Sequence, residues 1–329
     1  MVGKKIIGAL GVAILICLVG CSSKEEEKNE KIKIGVCQLI QHDALDKAYE
    51  GFKDRLLEKG YENSKNIDID YKNAQGDFQT AQTINKQFSD SKKDLIFAIA
   101  TPAAQAAYNC TKEIPIVFTA VTDPVSAKIA SSFKSSGNNV TGVSDMVPID
   151  KQLDLLKSLV KDVKSIGFIY NTSEANSVVQ LNNFKNAASK NNINVVEIGI
   201  TNVNEIDQNL KSAINKIDAL YTPTDNTVAS SYSLVGKICR DKKIPVLGAE
   251  EAMINAGGLV TLGIDYYELG KEAANKAIRI IEGEKPSEIE ITTLENLKIK
   301  INEDVAKELN IEVPKEIREK ADFISGGDK

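Results

Sequence analysis

The stretch Lys93-Asp94-Leu95-Ile96-Phe97-Ala98-Ile99-Ala100-Thr101-Pro102-Ala103-Ala104 decides the fold. An apolar, β-rich run over Leu95–Ala100 ends in a Thr-Pro pair, which suits the N-cap and first turn of a helix predicted over Pro102–Thr111. A second copy follows. Ile217-Asp218-Ala219-Leu220 answers Lys93-Asp94-Leu95-Ile96, and Lys243-Ile244-Pro245-Val246-Leu247 answers Glu113-Ile114-Pro115-Ile116-Val117. The offset of roughly 125–130 residues marks a duplicated supersecondary unit, not a short solenoid repeat.

Outward from that stretch the first half predicts strands at 32–38, 67–72, 95–100 and 116–120, with helices at 44–59, 78–89 and 102–111 between them. The second half predicts strands at 165–170, 194–200, 219–221 and 245–247, with helices at 174–191, 203–216 and 226–241. Such alternation produces parallel sheets covered by helices on both faces, so the fold class is α/β with two Rossmann-like lobes. A further strand at 258–264, a helix at 267–282 and a strand at 297–301 remain. After two full lobes this segment is expected to cross back. The first lobe is then 31–147 plus 266–322, and the second is 148–265.

Composition removes most other classes. The chain has 329 residues, with Lys+Arg 41 against Asp+Glu 46 and a formal net charge of −5, which offers nucleic acid no basic surface. Hydrophobic residues at 42% and charged residues at 26% are values of a folded globular protein. There is one histidine, His42, and no tryptophan. A single His excludes multi-histidine metal sites, and no phosphate loop, nucleophile elbow or metal-ligand spacing is present. No cofactor is implied.

Lys4 and Lys5 precede an apolar run from Ile6 to Gly20, too short to span a bilayer and read as a signal peptide over 1–20. Leu18-Val19-Gly20-Cys21 resembles the lipobox of bacterial lipoproteins, which places acyl chains on Cys21 and the protein outside the cytoplasmic membrane. Residues 21–30 become a lipidated tether. A plain secretory peptide with a chance cysteine is the alternative. Cys37, Cys110 and Cys239 read as small buried hydrophobes, not as a disulfide framework.

In open parallel sheets ligands bind beyond the carboxyl ends of the strands, where helix N-termini present free N–H groups. In the first lobe those positions are Gln38 to His42 with Gln41, then Asn73 to Gln75, Thr101-Pro102-Ala103-Ala104 and Thr119-Ala120-Val121-Thr122-Asp123. In the second they are Tyr170 to Asn176 with Asn171 and Glu174, then Thr222 to Asn226 with Asp225, then Glu250 and Asp265. Hydroxyls, amides and carboxylates abound there, without Lys or Arg. Phosphate ligands usually recruit Arg or Lys. A compact zwitterion fits better: an α-amino acid, its carboxylate on Thr101 Oγ and the N–H groups of Ala103 and Ala104. Its ammonium is expected on Asp225 or Asp265. Capping is the competing role for Thr101, Asp123, Asp225 and Asp265, and dipole compensation for Glu174 and Glu250. His42 reads as a structural strand-end residue, and Tyr266 and Tyr267 as interlobe packing or a stacking platform.

These residues resemble a family. Gln41-His42-Asp43-Ala44-Leu45-Asp46, Thr101-Pro102-Ala103-Ala104-Gln105-Ala106, Phe118-Thr119-Ala120-Val121-Thr122-Asp123-Pro124-Val125, Ser173-Glu174-Ala175-Asn176-Ser177, Thr224-Asp225-Asn226 and Leu262-Gly263-Ile264-Asp265-Tyr266 together are similar to the tryptophan/tyrosine-type ABC transporter substrate-binding lipoproteins. The likeness spans nearly the whole mature chain. Asp43 departs from it, where proline is commoner. The resemblance implies a type I periplasmic-binding-protein fold that closes on an aromatic amino acid, with Asn176, Ser177 and Asn226 at the site. It also implies a permease and ATPase as partners and a monomer without enzymatic activity. Two other classes stay open: a surface adhesin or sensor, and a hydrolase using paired carboxylates such as Glu174 and Asp225.

Overall fold

A computed structural model describes residues 31–325; the expected signal peptide, tether and Cys21 lie outside the described residues. The chain opens with β1 (Ile32–Gln38), α1 (Asp43–Glu58), β2 (Ile67–Asn73), α2 (Phe78–Asp90), β3 (Leu95–Ile99), α3 (Thr101–Cys110), β4 (Ile116–Thr119) and β5 (Val140–Ser144). It continues through α4 (Ile149–Leu159), β6 (Ser165–Asn171), α5 (Ala175–Lys190), β7 (Asn194–Ile200), α6 (Ile206–Ala213), β8 (Ala219–Thr222), α7 (Asn226–Ala229), α8 (Tyr232–Asp241), β9 (Val246–Gly248), α9 (Glu251–Asn255) and β10 (Val260–Gly263). Last come α10 (Tyr266–Ile281), β11 (Thr292–Thr293), β12 (Lys298–Asn302), α11 (Glu303–Glu308), α12 (Lys315–Arg318) and β13 (Ala321–Ile324).

Two sheets result, in the orders β11-β5-β4-β3-β1-β2 and β13-β12-β10-β9-β8-β6-β7. The strand pairs are parallel except β10 with β12. β3 is buried along its whole length, as a strand covered on both faces must be. In the first core Phe52 of α1 stacks on Phe97 of β3 with ring centroids 3.8 Å apart. In the second, Phe168, Phe184 and Tyr221 form one aromatic cluster. The buried Tyr221 hydroxyl donates to Gln152 Oε1 at 2.6 Å, and Gln152 Nε2 donates to Leu262 O at 2.8 Å, so α4 is tied to β8 and β10.

The chain passes between the sheets three times: after β5, after β10 and after β11. The third passage corrects the expected lobe limits. β12 and β13 belong to the second sheet, not the first, and Ile301, Val305, Ala306 and Val313 join the second core. The antiparallel edge of β10 needs a partner, and β12 supplies it. Two smaller differences follow from local chemistry. The helix expected over 226–241 is two helices interrupted at Ser230-Ser231, and β5 is a strand that sequence patterning did not mark. Among the described residues no helix is long and apolar enough to cross a membrane.

α10 returns to the first lobe and crosses α1 at backbone contact. A Cβ at Gly51 would strike the carbonyl of Tyr267, and one at Gly270 the carbonyl of Ala48. Both glycines therefore set the interaxial approach. Gly270→Ala is expected to lower stability by about 1–3 kcal/mol through forced helix displacement, read as a fall in Tm. An unchanged Tm would mean that the two helices part freely.

Candidate functional site

The carboxyl ends of the strands in both lobes carry a set of buried polar groups. In the first lobe β3 is followed by Ala100, φ +86°, and β4 by Ala120, φ +54°. Both are left-handed conformations that a residue bearing a Cβ adopts only when its surroundings hold it there. Helix α3 begins at Thr101 itself, with Ala100 and not Thr101 as N-cap, so the threonine hydroxyl is not a cap. Thr101 Oγ1 and Thr119 Oγ1 are buried without a hydrogen-bond partner. Pro102 supplies no N–H, and the Ala104 N–H donates to Ala100 O at 3.0 Å, which removes Ala104 from the expected donors and leaves Ala103. Asp123 braces a turn instead of capping a helix: its Oδ1 accepts from Val125 N at 3.0 Å and Ser126 N at 3.1 Å. Gln41 is exposed at the rim.

In the second lobe Glu174 turns away from its own helix toward α7. Its Oε1 accepts from Thr227 N and Thr227 Oγ1 at 3.1 and 2.9 Å. Its Oε2 accepts from Asn226 N, Asn226 Nδ2 and Asn176 Nδ2 at 3.1, 2.6 and 3.2 Å. Asp225 is likewise enclosed: Oδ2 accepts from Asn171 N and Ser177 Oγ, both at 2.6 Å, and Oδ1 accepts from Val228 N at 2.8 Å. The Asn171 side chain donates to Thr227 Oγ1 at 2.8 Å. These bonds brace one lobe internally. They engage both oxygens of the fully buried Asp225, so the structure does not offer it as the free partner of an ammonium.

Asp265 is not free either. Its Oδ1 caps α10 through Tyr267 N at 3.0 Å, and its Oδ2 faces Lys298 Nζ at 3.3 Å. Sequence had placed no cation nearby because Lys298 arrives from a strand assigned to the other lobe. Two other carboxylates do have open oxygens. Glu250 Oε2 and Asp145 Oδ1 are buried without partners, and both residues are 3% exposed. Burial raises the Glu250 carboxyl well above its usual range, reinforced by repulsion from Asp145, Asp225 and Glu174. Burial also raises Asp145, opposed by a hydrogen bond from Tyr266. No Lys or Arg contributes to either. Asp145 is not among the residues expected from sequence, since β5 was not marked as a strand; the Ser-Asp pair closing a Val-Thr-Gly-Val run was the available signal.

Three contacts tie the two lobes or their connections. Thr122 Oγ1 and Thr224 Oγ1 lie 3.0 Å apart, His42 Nε2 lies 3.5 Å from Asn226 Oδ1, and the Tyr266 hydroxyl donates to Asp145 Oδ2 at 2.8 Å. Tyr266 packs in the first core and its hydroxyl ties two of the connections between the sheets, while the Tyr267 hydroxyl donates to Asp54 within the first lobe. Between the lobes lies a cavity of about 210 Å³, with Leu39, Ile40, Phe78 and Pro102 on one wall and Asn171, Glu174, Asn226 and Thr227 on the other. A larger space of about 850 Å³ is lined by Gln41, His42, Tyr232 and Glu250. The described cysteines, Cys37, Cys110 and Cys239, are unpaired.

Residues 33–324 match the family model of ABC transporter substrate binding proteins. A tyrosine-binding protein of Clostridioides difficile is 47% identical over 317 residues, 93% of this chain and 91% of that protein. A Streptococcus pneumoniae ABC domain in complex with L-Trp superposes with TM-score 0.86 at 36% identity, covering 89% of this chain and 99% of that one. A ligand-free, open substrate-binding protein with adhesive properties from Clostridium difficile gives TM-score 0.69 at 47% identity, with the same coverage, 89% and 99%. The less similar sequence, caught with its ligand, fits better than the more similar one in its open form. Together with the contacts across the cleft, this places the present chain in a closed arrangement.

The buried acids set the pH dependence of stability. Asp225 is raised from 3.8 to about 7, mainly by burial and then by Glu174. A group whose native pKa is raised adds stability that is complete below the unfolded value and disappears as pH rises through the native one. Unfolding free energy is therefore expected to fall between about pH 4 and 7 by on the order of 1 kcal/mol per pH unit from this group. Urea unfolding across that range should show a shallower slope in Asp225→Asn. Equal slopes in both proteins would contradict the assignment.

Proposed function

This chain belongs to the ABC transporter substrate-binding protein family, and on that premise we propose that it captures an aromatic L-amino acid between its lobes and delivers it to a permease and ATPase. The observation that carries this reading is the set of buried, unpartnered oxygens: Thr101 Oγ1, Thr119 Oγ1 and Asp145 Oδ1 from the first lobe and Glu250 Oε2 from the second. Buried polar groups are nearly always hydrogen-bonded, and buried carboxylates need a counter-charge. One α-amino acid answers both needs. Its carboxylate meets Thr101 Oγ1 and the Ala103 N–H at the start of α3, where the helix dipole favours an anion. Its ammonium meets Glu250, with Asp145 beside it.

The 210 Å³ cavity beginning at Pro102 suits the ring, since Leu39, Ile40 and Phe78 offer apolar surface while Asn171, Asn226 and Thr227 offer hydrogen-bonding edges. A slot that can hydrogen-bond a phenol or an indole N–H favours tyrosine or tryptophan over phenylalanine, because the analogue lacking the donor leaves buried groups unpaired. The tyrosine-binding and L-Trp-bound relatives support that preference. Binding involves no chemistry. Contacts from both lobes form together only in the closed state, so the ligand shifts the equilibrium toward closure by its differential affinity. Members of this family act outside the cytoplasm. The Leu18-Val19-Gly20-Cys21 sequence supports an acyl anchor on Cys21 that holds a monomer at the membrane surface.

Isothermal titration with L-tyrosine and L-tryptophan tests the reading. Glu250→Gln is expected to weaken binding by about 2–5 kcal/mol, since it removes one member of a buried charge pair. Asp265→Asn, altering a helix cap that already has Lys298 as partner, should leave affinity within about threefold. Wild-type affinity in Glu250→Gln, or no binding of either amino acid to the unmutated protein, would overturn it.

A further inference from the structure

His42 stands at the N-cap of α1, where its side chain makes no capping bond. Instead its Nε2 crosses the cleft to Asn226 Oδ1 at 3.5 Å. Asn226 is itself held by Glu174 through its backbone N at 3.1 Å and its Nδ2 at 2.6 Å, so the acceptor oxygen is presented in a fixed orientation. His42 lines the 850 Å³ space and Asn226 the 210 Å³ cavity, which places their contact between the two. The other ring nitrogen, Nδ1, is buried without a partner. We propose that His42 is a closure latch: its neutral imidazole joins the lobes through Asn226, and its protonation favours the open form and release of the ligand.

The physical cause lies in the two environments of one ring. In the closed form an imidazolium would have to bury a second N–H at Nδ1 with nothing to accept it. Opening returns that nitrogen to water. The charged groups around the ring act in the opposite sense and are overcome. Asp46 and Asp43 on α1 favour the protonated form, yet burial still holds His42 down to about 4. Asp46 is drawn aside by Gln38 Nε2, which donates to its Oδ1 at 2.7 Å. Across the cleft Glu174 is saturated by α7 and Asn176, and Glu250 lines the same large space.

The sign is fixed by linkage. A group whose pKa is depressed in the closed form supports closure fully above its open-form value, and that support fades as pH falls toward the closed-form value. With an open-form pKa near the ordinary value of about 6.5 and a closed-form value of about 4, apparent affinity is expected to fall about 20-fold between neutrality and pH about 5. The inference rests on closure around a ligand but not on which amino acid is bound.

Because His42 is the only histidine in the chain, its imidazole C–H resonances report its titration by NMR without assignment. Ligand-free protein should titrate near the ordinary histidine value, and protein saturated with L-tyrosine near 4. Calorimetry with L-tyrosine should show the acid loss of affinity in the unmutated protein and only a residual loss, from the carboxylates, in His42→Gln. Should L-tyrosine not bind at neutral pH, the functional proposal fails while the latch remains testable. A Thr122→Cys, Thr224→Cys pair, built where the two hydroxyls lie 3.0 Å apart, closes the cleft on oxidation. Oxidation should then lower the His42 titration and reduction restore it. Identical titration in open and closed forms, or identical pH slopes in His42→Gln and the unmutated protein, would overturn the proposal.

Discussion

Four carboxylates, Asp145, Glu174, Asp225 and Glu250, are buried at the facing rims of two sheets, and none of them is in an ion pair among the described residues. Burying a carboxylate without a counter-charge is among the most costly things a fold can do, and burial accordingly raises Asp145, Asp225 and Glu250. Two of the four are reconciled internally: Glu174 and Asp225 collect N–H and O–H donors from α7 and the strand ends. The other two keep open oxygens. In the proposed function a ligand cation completes these two, and their open oxygens are what the proposal assigns to binding.

The division of labour follows from where each group sits. Groups satisfied within one lobe give a rigid rim that does not change when the lobes part. Groups left unsatisfied, Thr101 and Thr119 on one rim and Glu250 on the other, come from different lobes. A ligand that bridges them gains most of its contacts only in the closed state, which couples binding to motion. Tyr266, at the start of α10, bonds Asp145 at the end of β5, so two of the three connections between the sheets are joined beside the site. His42 adds the sole imidazole of the chain to the same interface, where its charge state bears on closure.

Much of this was legible in sequence. Alternating strand and helix patterns, repeated at a constant offset, determined the two parallel sheets, because each buried strand is a short apolar run and each helix carries a period of its own. Residues 298–322 were misplaced because the pattern of Lys298–Asn302 says nothing about which sheet edge will pair with it; that choice is tertiary. The strand-end rule brought Thr101, Thr119, Glu174, Asp225 and Glu250 to one region. It did not distinguish a carboxylate already hydrogen-bonded by its own lobe from one left open, since donors to Asp225 come from Asn171 and Ser177, 54 and 48 residues away. His42 was underestimated for the same reason: its partner is 184 residues distant.

The central claim, that the open carboxylates at Glu250 and Asp145 are completed by a ligand ammonium, is tested most directly by removing that ammonium. Calorimetric titration should compare L-tyrosine with 3-(4-hydroxyphenyl)propionate, which keeps the ring and carboxylate and lacks only the amino group. The account predicts that the deaminated compound binds at least about 100-fold more weakly, the scale of losing one partner from a buried charge pair. Equal affinities for the two would contradict it.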